Sequence, residues 1–206
     1  MSSCAIAIFV KTPGYSPIKT RLARELGEEE ALRIYRSLLT IVEESVGEAV
    51  RACRELNPYW AVAEEDALGD ALWQSFPTID QGTGGLGTRL HKVYAELLER
   101  FDRVLLIGAD CPLLSASVLV SAAERIQAKP QPQFVIGPAT DGGFYLFGGA
   151  QAIASSVWEG VSYSSSSTAS ELIDRLAGQG LVVRLPTLSD VDTVDDLEVL
   201  RAPMRR

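Results

Sequence analysis

Short apolar runs alternate with longer amphipathic stretches along this chain, and that alternation limits its fold more than any single motif does. Residues 5–10, 59–63, 103–107, 134–137, 144–147 and 181–185 have the length and apolar content of buried strands. Residues 28–55 carry Ala31, Tyr35, Leu38, Val42, Val46, Ala49 and Cys53 at three- and four-residue steps, the stripe of a scaffold helix. Glu28, Glu29 and Glu30 suit the positive end of its dipole. Further helices are expected over 88–100, 115–127, 168–177 and 193–200, the pattern of a sheet covered by helices. No repeat or linker interrupts it, so residues 1–206 are expected to form one domain.

Composition narrows the function classes. With 206 residues and 47% hydrophobic content the chain can bury a core, and a net charge of −8 argues against a nucleic-acid groove. The apolar run at 5–10 is too short for a membrane span and lacks a basic leader. Cys4, Cys53 and Cys111 are odd in number and widely spaced, with His91 the only histidine. That supports neither a disulfide framework nor a zinc site, and a reducing cytoplasm is expected.

Ligands of open α/β sheets bind beyond the carboxyl ends of the strands, so the polar residues there are the candidates. The first group is "KTPGYSPIKTRLA", directly after the opening strand. Its spacing from Gly14 to Lys19 and Thr20 approaches a Walker loop, but Ile18 stands where that loop needs glycine and Pro17 has no N–H. Phosphate recognition here therefore falls to side chains: Lys11, Lys19 and Arg21, with Thr12 and Thr20.

The second is "DQGTGGLGTRL", whose Gly82, Gly84 and Gly85 would let a ligand approach the backbone beside Arg89. It is not a Rossmann fingerprint, because no strand of matching strength immediately precedes it and the spacing differs. In the third, "VLLIGADCPLL", Asp110 arrives just past a buried strand, where a carboxylate can hold Mg²⁺ against a phosphate. Ser115 is the better helix cap, and Cys111 has no partner base and is expected to pack.

The fourth comprises two acidic turns, Asp141 in "GPATDGGFYL" and Asp190 with Asp192 in "LSDVDTVDDL". Asp141 also fits a hairpin turn and Asp192 a helix N-cap. Both turns follow strands, so they are expected to share one rim with Asp110. The serine run 164–167 is read as the lead-in to a helix capped by Thr168 and Glu171. The terminal "RAPMRR" is expected to fray.

Taken in order, "KTPGYSPIKTRLA", "QGTGGLGTRL", "GADCPLL", "GPATDGGFYLFG" and "DVDTVDDL" resemble a family of uncharacterised bacterial proteins in the glycosyltransferase-A, or nucleotide-diphospho-sugar transferase, superfamily. The opening loop is also similar to that of phospholactate guanylyltransferases. This resemblance implies a Rossmann-like α/β/α sandwich with a mostly parallel sheet, a bound nucleotide and Mg²⁺ or Mn²⁺. It implies phosphate contacts from Lys11, Lys19 and Arg21, and nucleoside contacts near Gly82, Gly84, Gly85 and Arg89. Asp110 would hold the metal, with Asp192 the second ligand and Asp190 the alternative. Two departures stand out: "DCP" replaces the Asp-x-Asp of metal-dependent glycosyltransferases, and "VSYSSSST" replaces a Trp-Ser-Thr segment.

The expected activity is transfer from an activated nucleotide. In nucleotidyl transfer from a nucleoside triphosphate, a phosphorylated small-molecule acceptor attacks the α-phosphate, with charge neutralised by the metal, Lys19 and Arg21. In the glycosyl alternative a nucleotide sugar is the donor and Asp141 is the base or shapes the acceptor pocket. A nucleotide-binding regulator without turnover is the third alternative.

Overall fold

The computed structural model describes residues 3–126 and 131–201, without the side chains of 198–201. Seven strands form one sheet: β1 (Cys4–Val10), β2 (Leu56–Val62), β3 (Thr78–Asp80), β4 (Arg103–Gly108), β5 (Gln133–Pro138), β6 (Phe144–Gly149) and β7 (Leu181–Arg184). Their order is β3-β2-β1-β4-β6-β5-β7, and β6 alone runs antiparallel to its neighbours. Seven α-helices accompany them among the described residues: α1 (Thr20–Leu26), α2 (Glu28–Ala52), α3 (Leu86–Leu98), α4 (Ala116–Arg125), α5 (Ser155–Glu159), α6 (Thr168–Leu176) and α7 (Val194–Arg201). None is long and apolar enough to cross a membrane.

The alternation of β1 divides the core in two. Ile6, Ile8 and Val10 join Tyr35, Leu39 and Val46 of α2 and Leu119 of α4 on one face. Ala5 and Ala7 leave room on the other for Tyr94 of α3, Phe147 of β6 and Trp158 of α5, whose rings meet edge-on or tilted. The β4 run Val104–Ile107 is buried on both faces, as expected of a central strand.

Three expectations change. Residues 78–80 form a strand too short to show a period, and α1 and α5 are likewise too brief for an apolar stripe. Thr168 does not cap α6: Ser167 is the N-cap, and the Thr168 hydroxyl donates to the carbonyls of Ser162 and Ser165. A capping box instead closes the start of α7, where Asp196 Oδ2 accepts from the Thr193 N–H at 2.7 Å and its hydroxyl at 2.8 Å. Gln127, at the end of one expected helix, and residues 202–206 of the fraying end lie outside the described residues.

Candidate active site

A third, smaller apolar cluster explains why distant segments meet at the carboxyl edge of the sheet. Leu22 of α1 and Val191 are both fully buried against Ala31, Ile34 and Leu38 of α2. One helix therefore docks the segment after the opening loop and the acidic segment near residue 190. Backbone bonds complete the placement: Val191 N–H donates to Asp110 C=O at 2.9 Å, and Thr140 N–H to Leu188 C=O at 3.0 Å. Asp110, Asp141, Asp190 and Asp192 are thereby brought to one rim.

The opening loop is held from both ends. At its start the buried Tyr35 hydroxyl accepts the Lys11 N–H at 3.1 Å and donates to the Lys11 carbonyl at 2.8 Å. Thr12 turns inward, its N–H donating to Glu64 at 2.8 Å and its hydroxyl accepting from Trp73 at 3.1 Å. Being 1% exposed, it anchors the loop and does not reach the cavity that the loop borders.

At its end Lys19 adopts the left-handed region, φ 42°, as the N-cap of α1. Its ammonium lies 3.0 Å from Asp110 Oδ2 and 3.8 Å from Asp192 Oδ1. Arg21 bonds Asp192 Oδ2 at 2.8 Å and is more than half exposed. Lys11, Lys19, Thr20 and Arg21 line a cavity of about 670 Å³ together with Asp110 and Asp192. A second cavity, of about 290 Å³, adjoins it, and Asp110, Phe9, Leu86 and Ser164 line both. Among the described residues Lys19 and Ser164, φ 59°, are the non-glycine residues with positive φ, and both face this site.

The acids differ in their surroundings. Asp141 Oδ1 accepts the Gly143 N–H at 2.8 Å, closing the turn between β5 and β6, while the residue lines the smaller cavity. Burial, with Asp141 and Asp110 nearby, pushes the Asp190 carboxyl up to about 6. Asp192 is not the cap of α7, whose start is closed by Thr193 and Asp196. Burial pushes the Cys111 thiol up to about 12, which suits packing and not nucleophilic attack.

The glycine loop sits differently from its expected place. Gly82, Gly84, Gly85 and Arg89 line neither cavity, and Arg89 Nε bonds back to the Gly84 carbonyl at 3.0 Å. The residues flanking the loop line the basic cavity instead: Gln81, whose amide donates to Val10 and Ala61 carbonyls, and Leu86. Tyr35, Gln81, Tyr145 and Tyr163 were not singled out from the sequence as site residues. A tyrosine on an apolar stripe was the available signal for Tyr35, since a buried hydroxyl needs a partner.

No group of three or more His, Cys, Asp or Glu is spaced to hold a metal among the described residues. Asp110 nevertheless pairs with the Lys19 ammonium, Asp192 pairs with Arg21 and more distantly with Lys19, and Asp190 lies close to Asp110. This fits Mg²⁺, which takes one or two carboxylates and completes its shell with substrate phosphates and water.

Residues 48–165 match a family described as "uncharacterized protein conserved in bacteria (DUF2064)". A Desulfovibrio desulfuricans G20 protein assigned to the nucleotide-diphospho-sugar transferases is 26% identical, with a TM-score of 0.85 over 100% of this chain and 89% of that one. A CMP:2-keto-3-deoxy-manno-octonic acid synthetase, solved with CTP, is 14% identical, with a TM-score of 0.55 over 98% of both chains. The Mycobacterium tuberculosis H37Rv protein Rv0371c, solved with manganese, is 12% identical, with a TM-score of 0.52 over 97% of this chain and 98% of that one. No curated protein matched the sequence. The α/β architecture expected from the sequence is thus that of nucleotide-diphospho-sugar transferases.

Proposed function

The chain belongs to the DUF2064 family of bacterial proteins, and from that premise we propose that it is a metal-assisted transferase acting from an activated nucleotide. One observation carries the reading: Lys11, Lys19 and Arg21 line a single cavity together with Asp110 and Asp192. Phosphate oxygens would take Lys11 as a partner and draw Lys19 and Arg21 from their carboxylates. Asp110 would hold Mg²⁺ or Mn²⁺ with Asp192 or Asp190, and the cation would neutralise charge on the phosphates when bound. Gln81 and Leu86 would border the nucleoside. The CTP and manganese complexes of fold relatives support this arrangement, as three free cysteines support a reducing cytoplasm.

Nucleotidyl transfer from a nucleoside triphosphate is the leading reaction, since three cations on one loop suit a polyphosphate. Glycosyl transfer from a nucleotide sugar is the second, favoured by the likeness to the Desulfovibrio protein. Calorimetry with nucleoside triphosphates and nucleotide sugars, with and without Mg²⁺, tests the donor. Pyrophosphate release during turnover marks the first reaction and nucleoside diphosphate release the second. Binding that ignores Mg²⁺ and Asp110→Asn would leave a nucleotide-binding regulator.

A further inference from the structure

We propose that the smaller cavity is an acceptor subsite for an uncharged, hydroxyl-bearing molecule of about monosaccharide size, and not for a phosphorylated one. This rests on the transferase reading above, and it replaces the phosphorylated acceptor expected from sequence.

The contrast between the two adjoining cavities carries the inference. The basic one is lined by Lys11, Lys19 and Arg21, whereas no Lys, Arg or His lines the smaller one. Its charged residues are Asp110 and Asp141, and its walls are Phe144, Tyr145, Tyr163 and Leu106. A phosphate ester entering there would lose water without gaining a charged donor, and would face two carboxylates.

Its other polar side chains are neutral hydroxyls, those of Tyr145, Tyr163, Ser164, Ser165 and Thr168. The Tyr145 hydroxyl donates to the Pro186 carbonyl at 2.9 Å, and that of Tyr163 to the Trp158 carbonyl at 3.0 Å. The Thr168 hydroxyl is likewise spent on main-chain carbonyls. The rings remain as apolar surface, and the carboxylates of Asp110 and Asp141 with the Ser164 and Ser165 hydroxyls remain as polar groups. A polyol satisfies both, packing its C–H face on the rings and donating hydroxyls to Asp110 and Asp141. The volume of about 290 Å³ lies at the small end of ligand cavities and suits a single ring. Because Asp110 lines both cavities, a hydroxyl held here sits beside the donor phosphates.

Ligand-observed NMR on the intact protein tests this with glucose and myo-inositol, glucose 6-phosphate and glucosamine as probes, with and without Mg²⁺ and the nucleotide that binds best. The expected result is saturation transfer to at least one uncharged probe and binding of the phosphate ester about tenfold weaker or less. Asp141→Lys should reverse that order while the protein keeps its circular dichroism. Preference for the ester, preference for the amine, or no binding by any probe overturns the proposal. Nucleotide binding is read in the same samples. An ester preference with nucleotide bound defeats the subsite alone, whereas absent nucleotide binding defeats the transferase reading and with it the acceptor role.

Discussion

The Lys19 ammonium sits 3.0 Å from Asp110 Oδ2 and 3.8 Å from Asp192 Oδ1, with 8% of its side chain exposed. A cation placed between two carboxylates near the phosphate cavity both neutralises the acids and can be drawn toward a ligand. Lys19→Met should weaken nucleoside triphosphate binding by about 10- to 100-fold, the usual worth of a charge-assisted contact. Calorimetry measures it, and unchanged affinity would detach Lys19 from the phosphates.

The same pairing predicts how metal and nucleotide depend on one another. Without nucleotide, Lys19 already satisfies the acids, so Mn²⁺ should bind weakly. Phosphates that attract Lys19 free Asp110 and supply oxygens, so Mn²⁺ affinity should rise about tenfold or more with a bound triphosphate. Electron paramagnetic resonance of free Mn²⁺ gives the answer. Tight binding to the nucleotide-free protein would contradict it.

Tyr35 holds Lys11 by two main-chain bonds from a helix 24 residues away. Tyr35→Phe keeps the packing but leaves a buried N–H unpaired, at a cost of about 1–2 kcal/mol. The melting temperature should drop, and nucleotide affinity should drop several-fold because Lys11 loses its anchor. A drop in stability with affinity intact would mean that the loop forms without this bond.

Asp190 supplies a pH test. Its carboxyl is pushed up to about 6 from an ordinary value of 3.8, so the folded state holds this proton more tightly than the unfolded chain does. Stability from that proton is complete below the unfolded value and is lost as pH rises through the folded one. Asp190→Asn should therefore raise the melting temperature of the ligand-free protein at pH 7.5 and change it little at pH 4. The opposite trend would show that the carboxylate, and not the acid, is the favoured folded form.

Gly142 joins the acidic hairpin to the segment before α6. It has φ +91°, and an added Cβ would lie 2.1 Å from the Ser166 carbonyl oxygen. Its own carbonyl accepts the Ala169 N–H at 2.9 Å. Gly142→Ala should cost about 2 kcal/mol or more and displace Asp141 and Ser165 together. Chemical denaturation measures the first effect, and the second should appear as lost binding of acceptor-site probes. A fully stable variant would show that the hairpin moves freely of α6.

Legibility followed the physics of each element. The six strands other than β3 show in sequence as short apolar runs, and the long helix α2 shows because burial of one face imposes a period. Thr78–Asp80 and Ser155–Glu159 are too short to carry one. Asp110 stood out as a candidate because it follows a buried strand by two residues, and Lys19 and Arg21 because they end the basic loop that follows another. The composition of the glycine loop suggested ligand contact, while in the structure Gln81 and Leu86 on either side line the cavity.

Residue order alone therefore determined the α/β class, the carboxyl edge as the place of the site, and the cations of the opening loop, all consequences of local periodicity and strand ends. Only the tertiary structure decided that Thr12 faces inward, that Tyr35 grips Lys11, and that acids about 80 residues apart surround one lysine. It also decided that the cavity beside Asp141 has no cation. Such facts depend on Leu22 and Val191 packing against one helix and on the hydrogen bonds joining Val191 to Asp110. Contacts of that range leave no period in a sequence, because side chains that meet across a core need share nothing along the chain.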